Sequence, residues 1–180
     1  YRFHQPRKDV DLKSRMRIDH AMRQGLARGD FRLDYQPQVD CASGRIVGAE
    51  ALLRWHDPEL GAMLPPDFIG VAEESGFIVA LGEWVLGEAV RQAAQWRAQG
   101  LDIVVAVNVS ALQFQKPDFV DGVARTLRDA GLPAHGLELE LTESILIQDA
   151  PEALTRLQAL AQLGVRLAID DFGTGYSSLG

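Results

Sequence analysis

Cysteine is nearly absent. Cys41 is the only one in 180 residues, so no intrachain disulfide can staple the fold, and a reducing cytoplasm is the expected compartment. Long apolar runs are missing too. The most apolar stretch, residues 101–109, contains Asp102 and Asn108 and falls well short of the roughly 20 residues of a membrane span. Direct membrane insertion is therefore not expected; tethering through upstream segments is left open. Basic charge is in short supply: 18 Lys and Arg face 25 Asp and Glu, a formal net charge of -7. That balance argues against a polymeric nucleic acid or an anionic lipid surface as partner. A chain this acidic handles phosphates only with metal ions or a few focused arginines.

Other absences narrow the chemistry further. His4, His20, His56 and His135 are scattered, and no Cys/His spacing fits a zinc site; each is read as a surface residue. No Gly-Lys-Ser/Thr phosphate loop is present, and Ser177 and Ser178 have no Gly-x-Ser-x-Gly elbow, so neither a P-loop nor a serine hydrolase is expected. Neither an internal repeat nor a low-complexity tract occurs. The first 15 residues are polar and basic, without the apolar centre of a signal peptide. The chain does not begin with Met, and a segment of something longer is expected.

What is present is an ordinary globular composition, 47% hydrophobic and 24% charged, in a length that predicts one domain with a short appendage. Patterning predicts an amphipathic helix over 9–28 stopped by Gly29, then strands over 31–39 and 45–55 joined by the turn 41–44. So short a connection makes this pair antiparallel. A short helix over 67–75 and a longer one from 78 to Gly100 follow. Strands over 103–110, 137–143 and 165–172 then alternate with helices over 117–130 and 150–162. Such alternation is the pattern of a parallel sheet with crossover helices. Five strands are expected, with Trp55, Trp84 and Trp96 in the core.

Period-two alternation also sorts the polar residues. Glu50, Leu52 and Arg54 share one face of their strand, Gln36 lies with Asp34 and Gln38, and Asn108 lies with Val104 and Ala106. Glu138, Glu140 and Thr142 oppose Leu137, Leu139 and Leu141, and the last strand ends in Asp170 and Asp171. Most of these polar groups fall near the C-terminal ends of otherwise apolar strands, the edge at which β/α architectures bind ligands. Glu50, Glu140, Asp170 and Asp171 brought together would repel one another unless a cation intervened. With the amide oxygen of Asn108 they form an all-oxygen donor set suited to Mg2+ or Mn2+.

At these residues the sequence resembles the EAL family of cyclic di-GMP phosphodiesterases. The matches run in order: Tyr-Gln-Pro at 35–37, EALLRW at 50–55, NVS at 108–110, ELTES at 140–144 and DDFGTGYSSL at 170–179. The resemblance implies a TIM-like (β/α)8 barrel with its first strand antiparallel, here truncated after about five strands, since a full barrel takes about 250 residues. It also implies hydrolysis of cyclic di-GMP to linear pGpG with two Mg2+ or Mn2+ ions per active site. Carried over residue by residue, Glu50, Asn108, Glu140 and Asp170 hold the first metal. Asp170 bridges to the second, which Asp171 also ligates, and Glu50, Asp170 and Asp171 form the catalytic group. Gln36, Leu52 and Arg54 contact substrate, with Arg54 on a phosphate, and Glu143 orders the loop 172–179. The family's further Lys and second-metal Glu belong to strands after Gly180, so the isolated segment is expected to be inactive. The start of the chain resembles the exit from a GGDEF domain. Residues 1–28 are accordingly expected to be a linker helix behind an upstream GGDEF or sensory domain, and 29–180 an incomplete EAL domain. A homodimer is left open. The competing reading is a catalytically inactive module that only binds cyclic di-GMP.

Overall fold

The computed structural model describes residues 6–142, 145 and 150–170, in which strands and helices alternate around one mixed sheet. Helix α1 (Pro6–Arg28) precedes β1 (Phe31–Val39) and β2 (Ile46–Asp57). It stops at Gly29, whose φ of +83° suits glycine, and the amides of Gly29 and Asp30 both donate to the Gly25 carbonyl. Strands β1 and β2 pair antiparallel, and the turn between them is held by Asp40, whose carboxylate accepts the Ser43 amide at 3.0 Å.

At the far end of β2, Asp57 is 4% exposed and accepts the amides of Glu59 and Leu60 at 2.9 Å each and Arg28 Nη2 at 3.1 Å. Burial pushes its pKa up, but these donors together outweigh burial and hold the carboxyl below its ordinary value. The turn they fix sends a three-residue strand, β3 (Gly61–Met63), back onto residues 55–57 of β2.

The rest is β/α alternation: α2 (Pro65–Glu74), α3 (Ile78–Ala98), β4 (Val104–Val109), α4 (Ala111–Phe114), α5 (Phe119–Ala130), β5 (Leu137–Thr142), α6 (Ala150–Leu163) and β6 (Arg166–Asp170). Sheet order is β1-β2-β4-β5-β6, with β3 attached to β2, and β2, β4, β5 and β6 run parallel. Two expectations are corrected. Six strands form among the described residues, since the Asp57 turn makes β3. The helix expected over 117–130 is α5 alone, and a separate turn of helix, α4, precedes it. Ser110 ends the strand and caps α4, its Oγ accepting the Gln113 amide at 3.2 Å.

Helices α3, α5 and α6 cover one face of the sheet. There Val105, Val107, Leu137 and Leu139, each at most 1% exposed, meet Ala89, Val90, Val123 and Leu160. In α5 the buried residues Phe119, Val123 and Leu127 recur every four positions, and Gly131 at φ +68° ends the helix. A second, aromatic cluster joins α1 and α2 to the β1–β2 pair through Met22, Phe31, Trp55 and Phe68. Trp55 stacks on Phe31 with ring centroids 5.4 Å apart and meets Phe68 edge-on at 5.3 Å. Gly25 lets α1 approach this closely, because a Cβ there would come within 3.0 Å of Trp55 Nε1. Of the three tryptophans expected in the core only Trp55 is fully buried; Trp84 and Trp96 are half-buried at its margin. His20, His56 and His135 are exposed, and so is Cys41.

Candidate active site

Register decides which residues share a face. In the β1–β2 pair, Gln36 lies opposite Glu50 and Asp34 opposite Leu52. In the parallel ladders Glu50 pairs with Ala106, Asn108 with Glu140, Glu140 with Ala168 and Thr142 with Asp170. Paired residues point to the same side, and each step of two along a strand preserves it. Gln36, Glu50, Leu52, Arg54, Asn108 and Glu140 therefore stand on the face away from α3 and α5, and Asp170 holds the matching register position on β6. Ala51, Val107 and Leu139, each one step out of phase, are buried beneath the helices.

Two of these side chains already touch. Asn108 Nδ2 donates to Glu50 Oε1 at 2.9 Å, bridging β2 and β4. The amide spends a donor on the carboxylate, which leaves its Oδ1 as an oxygen ligand. Glu140 follows on the next strand, directly beside Asn108. Strands lie about 4.8 Å apart, so an amide oxygen and two carboxylates from three consecutive strands fit a hard divalent cation. Among the described residues no three His, Cys, Asp or Glu side chains cluster as a metal site. The described donor set holds two carboxylates, Glu50 and Glu140, while Asp171, the loop-ordering candidate Glu143 and the loop 172–179 lie outside the described residues.

Arg54 supplies a cation to this face. Its Nε donates to Asp34 Oδ2 at 2.9 Å and its Nη1 to the Leu53 carbonyl at 3.0 Å. The Asp34 contact was not read from the sequence; its only signal there is that Asp34 shares a strand face with Gln36. Tyr35 behaves differently from its neighbour Gln36. Its ring turns to the helix side and meets Trp96 edge-on at 4.8 Å. Burial, helped by the Glu88 carboxylate, pushes its phenol up to about 12. It is therefore neutral at any physiological pH, and of the Tyr-Gln-Pro segment only Gln36 stands on the polar face.

A sheet of parallel strands alternating with helices, with oxygen donors and an arginine on the face the helices leave uncovered, is the arrangement of the β/α-barrel class. Comparison with known proteins gives the family: the chain belongs to the EAL domain family, whose sequence profile matches residues 19–180. It is 43% identical over 180 residues to the bifunctional diguanylate cyclase/cyclic di-GMP phosphodiesterase MucR of Pseudomonas aeruginosa, covering 99% of this chain and 26% of that protein. It is 39% identical to the oxygen sensor protein DosP of Escherichia coli, covering 99% and 22%. Of the first curated relatives it spans only 21–26% of the length. The PaMucR phosphodiesterase, solved as a c-di-GMP complex, superposes with a TM-score of 0.84 at 46% identity over 90% of this chain and 66% of that one. The EAL domain of Mycobacterium smegmatis DcpA superposes with a TM-score of 0.65 at 40% identity, covering 82% and 58%. The fold is accordingly the TIM-like α/β barrel type of these domains. Among the described residues no helix is long and apolar enough to cross a membrane.

Proposed function

We propose that the protein containing this chain hydrolyses cyclic di-GMP to linear pGpG at the polar face of the sheet, using two Mg2+ or Mn2+ ions. The observation that carries this reading is the Asn108–Glu50 contact at 2.9 Å with Glu140 in register beside it. It sets oxygen donors on the face that Arg54 shares. When bound, the two ions activate water near neutral pH and offset the negative charge of the phosphodiester. Glu50, Asn108, Glu140 and Asp170 are assigned to the first ion, and Asp170 with Asp171 to the second. Asn108 fixes the carboxylate of Glu50 by hydrogen bond, so this ligand is preorganised by its neighbour. Gln36, Leu52 and Arg54 line the same face and are assigned to the dinucleotide, with the guanidinium of Arg54 on a phosphate. Glu143 is assigned to ordering the loop 172–179. The similarity to MucR, named for cyclic di-GMP phosphodiesterase activity, supports the substrate. An upstream GGDEF or sensory domain and a cytoplasmic site of action belong to the same proposal.

The test is a turnover assay on the intact protein with cyclic di-GMP and Mg2+, separating pGpG from remaining substrate, with and without EDTA. Metal-dependent appearance of pGpG is expected. Tight binding of cyclic di-GMP without any pGpG would overturn the enzymatic reading in favour of a receptor module.

A further inference from the structure

Arg54 is one of two arginines that the hairpin sets face to face. In the β1–β2 register Arg32 lies directly opposite Arg54, a pairing of like charges that would by itself push the two guanidinium groups apart. Asp34, two residues along β1 on the same face, lies between them. Its Oδ2 accepts Arg54 Nε at 2.9 Å and its Oδ1 accepts Arg32 Nε at 3.2 Å. The two arginines are not equivalent. The Arg54 side chain is 32% exposed against 68% for Arg32, and only Arg54 is fastened a second time, through Nη1 to the Leu53 carbonyl.

We infer that Asp34 is a positioning residue that aims the guanidinium of Arg54 at a substrate phosphate. The inference rests on the reading that this face takes cyclic di-GMP. An ion pair this open adds little stability; what it supplies is direction. Arginine is long and rotamer-rich, and binding a ligand with an unrestrained side chain loses that freedom at the moment of contact. With Nε held by Asp34 and one Nη1 proton on Leu53, the side chain is fixed from two sides. The Nη2 protons and the remaining Nη1 proton form the end-on fork that matches two phosphate oxygens. The charge sum also fits. Two arginines and one aspartate leave this corner of the acidic face with one net positive charge, so the anion meets a cation that Asp34 directs without cancelling.

Steady-state kinetics of the intact protein on cyclic di-GMP with Mg2+ test this. Asp34→Ala is expected to raise KM about tenfold while kcat stays within about threefold, since the loss is of ground-state phosphate binding. Asp34→Asn keeps an oxygen acceptor for Nε and is expected to hold KM within about threefold of wild type. In an Arg54→Ala background, Asp34→Ala should change KM less than about twofold, because its target is gone. An unchanged KM in Asp34→Ala, or a full loss that persists without Arg54, would overturn the assignment while leaving the wild-type activity standing. A wild-type protein that neither binds nor hydrolyses cyclic di-GMP would instead overturn the functional reading and this inference with it.

Discussion

Strand β5 carries two different proteins on its two faces. Leu137, Leu139 and Leu141 are at most 3% exposed and pack under the helices, whereas Glu138, Glu140 and Thr142 alternate with them on the half-open side. The same division runs through β2 and β4, where Ala51 and Val107 are buried and Glu50 and Asn108 carry the 2.9 Å contact. On the helix side each residue is replaceable by another of similar shape, because dispersion and burial care about volume. On the polar side specific contacts matter instead, as where the Asn108 amide holds the Glu50 carboxylate. Stability and chemistry are thus separated by a single step along the strand, and substitutions on the two faces should fail in different ways.

The largest effect is expected at Glu50. Glu50→Ala removes a charged oxygen ligand and the acceptor of the Asn108 amide, and turnover of cyclic di-GMP should fall roughly a thousandfold, in line with the several kcal/mol that metal ions contribute to such transition states. Its thermal midpoint should stay level, since the helix-covered core is untouched. Near-normal turnover would dissolve the distinction between the faces.

Next in size is Leu139, which is fully buried at the centre of the helix-covered core. Leu139→Ala should destabilise the domain by about 2–5 kcal/mol, the usual cost of a lost buried leucine and its cavity. Chemical denaturation measures it directly. The variant's kcat at low temperature should stay within about twofold of wild type, because folded molecules retain an intact polar face. A loss of kcat without loss of stability would reverse the assignment of the two faces.

Both faces were legible in the sequence because strand alternation is a local signal. The runs 31–39 and 137–143 each show it, and the helices over 78–100 and 150–162 betray themselves by apolar spacing and a closing glycine. What escaped is short or non-local. Strand β3 has three residues and α4 has four, too few for any period to show. The Ser110 cap of α4 was present in the letters but looked like the tail of a strand. Within the site, alternation predicted that Glu50 and Arg54 share a face. It could not show that Asp34 would hold Arg54, since that depends on the pairing of Asp34 with Leu52 across the hairpin. Sequence reports the phase of each strand, while the offset between strands is settled by the turn and by packing.

The smallest expected effect sharpens the comparison most, because it separates face from position. Glu138 shares the polar face with Glu140 but lies two residues nearer the strand's start, in register with Ala106 and with Arg166 on β6. Through Ala106 it is level with Glu50, but it is Glu140, two residues and roughly 6.6 Å further on, that stands beside Asn108, the residue whose amide holds the Glu50 carboxylate. Its neighbour across the ladder is a cation, Arg166, whereas Glu140 stands beside the amide of Asn108. Glu138→Gln keeps the shape and removes the charge, and kcat and KM should both stay within about twofold of wild type. Glu140→Gln, the identical chemical change two residues on, should stop turnover at the same Mg2+ concentration. If the two variants lost activity equally, the whole acidic face would be acting as one diffuse field. The row near the strand ends would then have no special standing as the site.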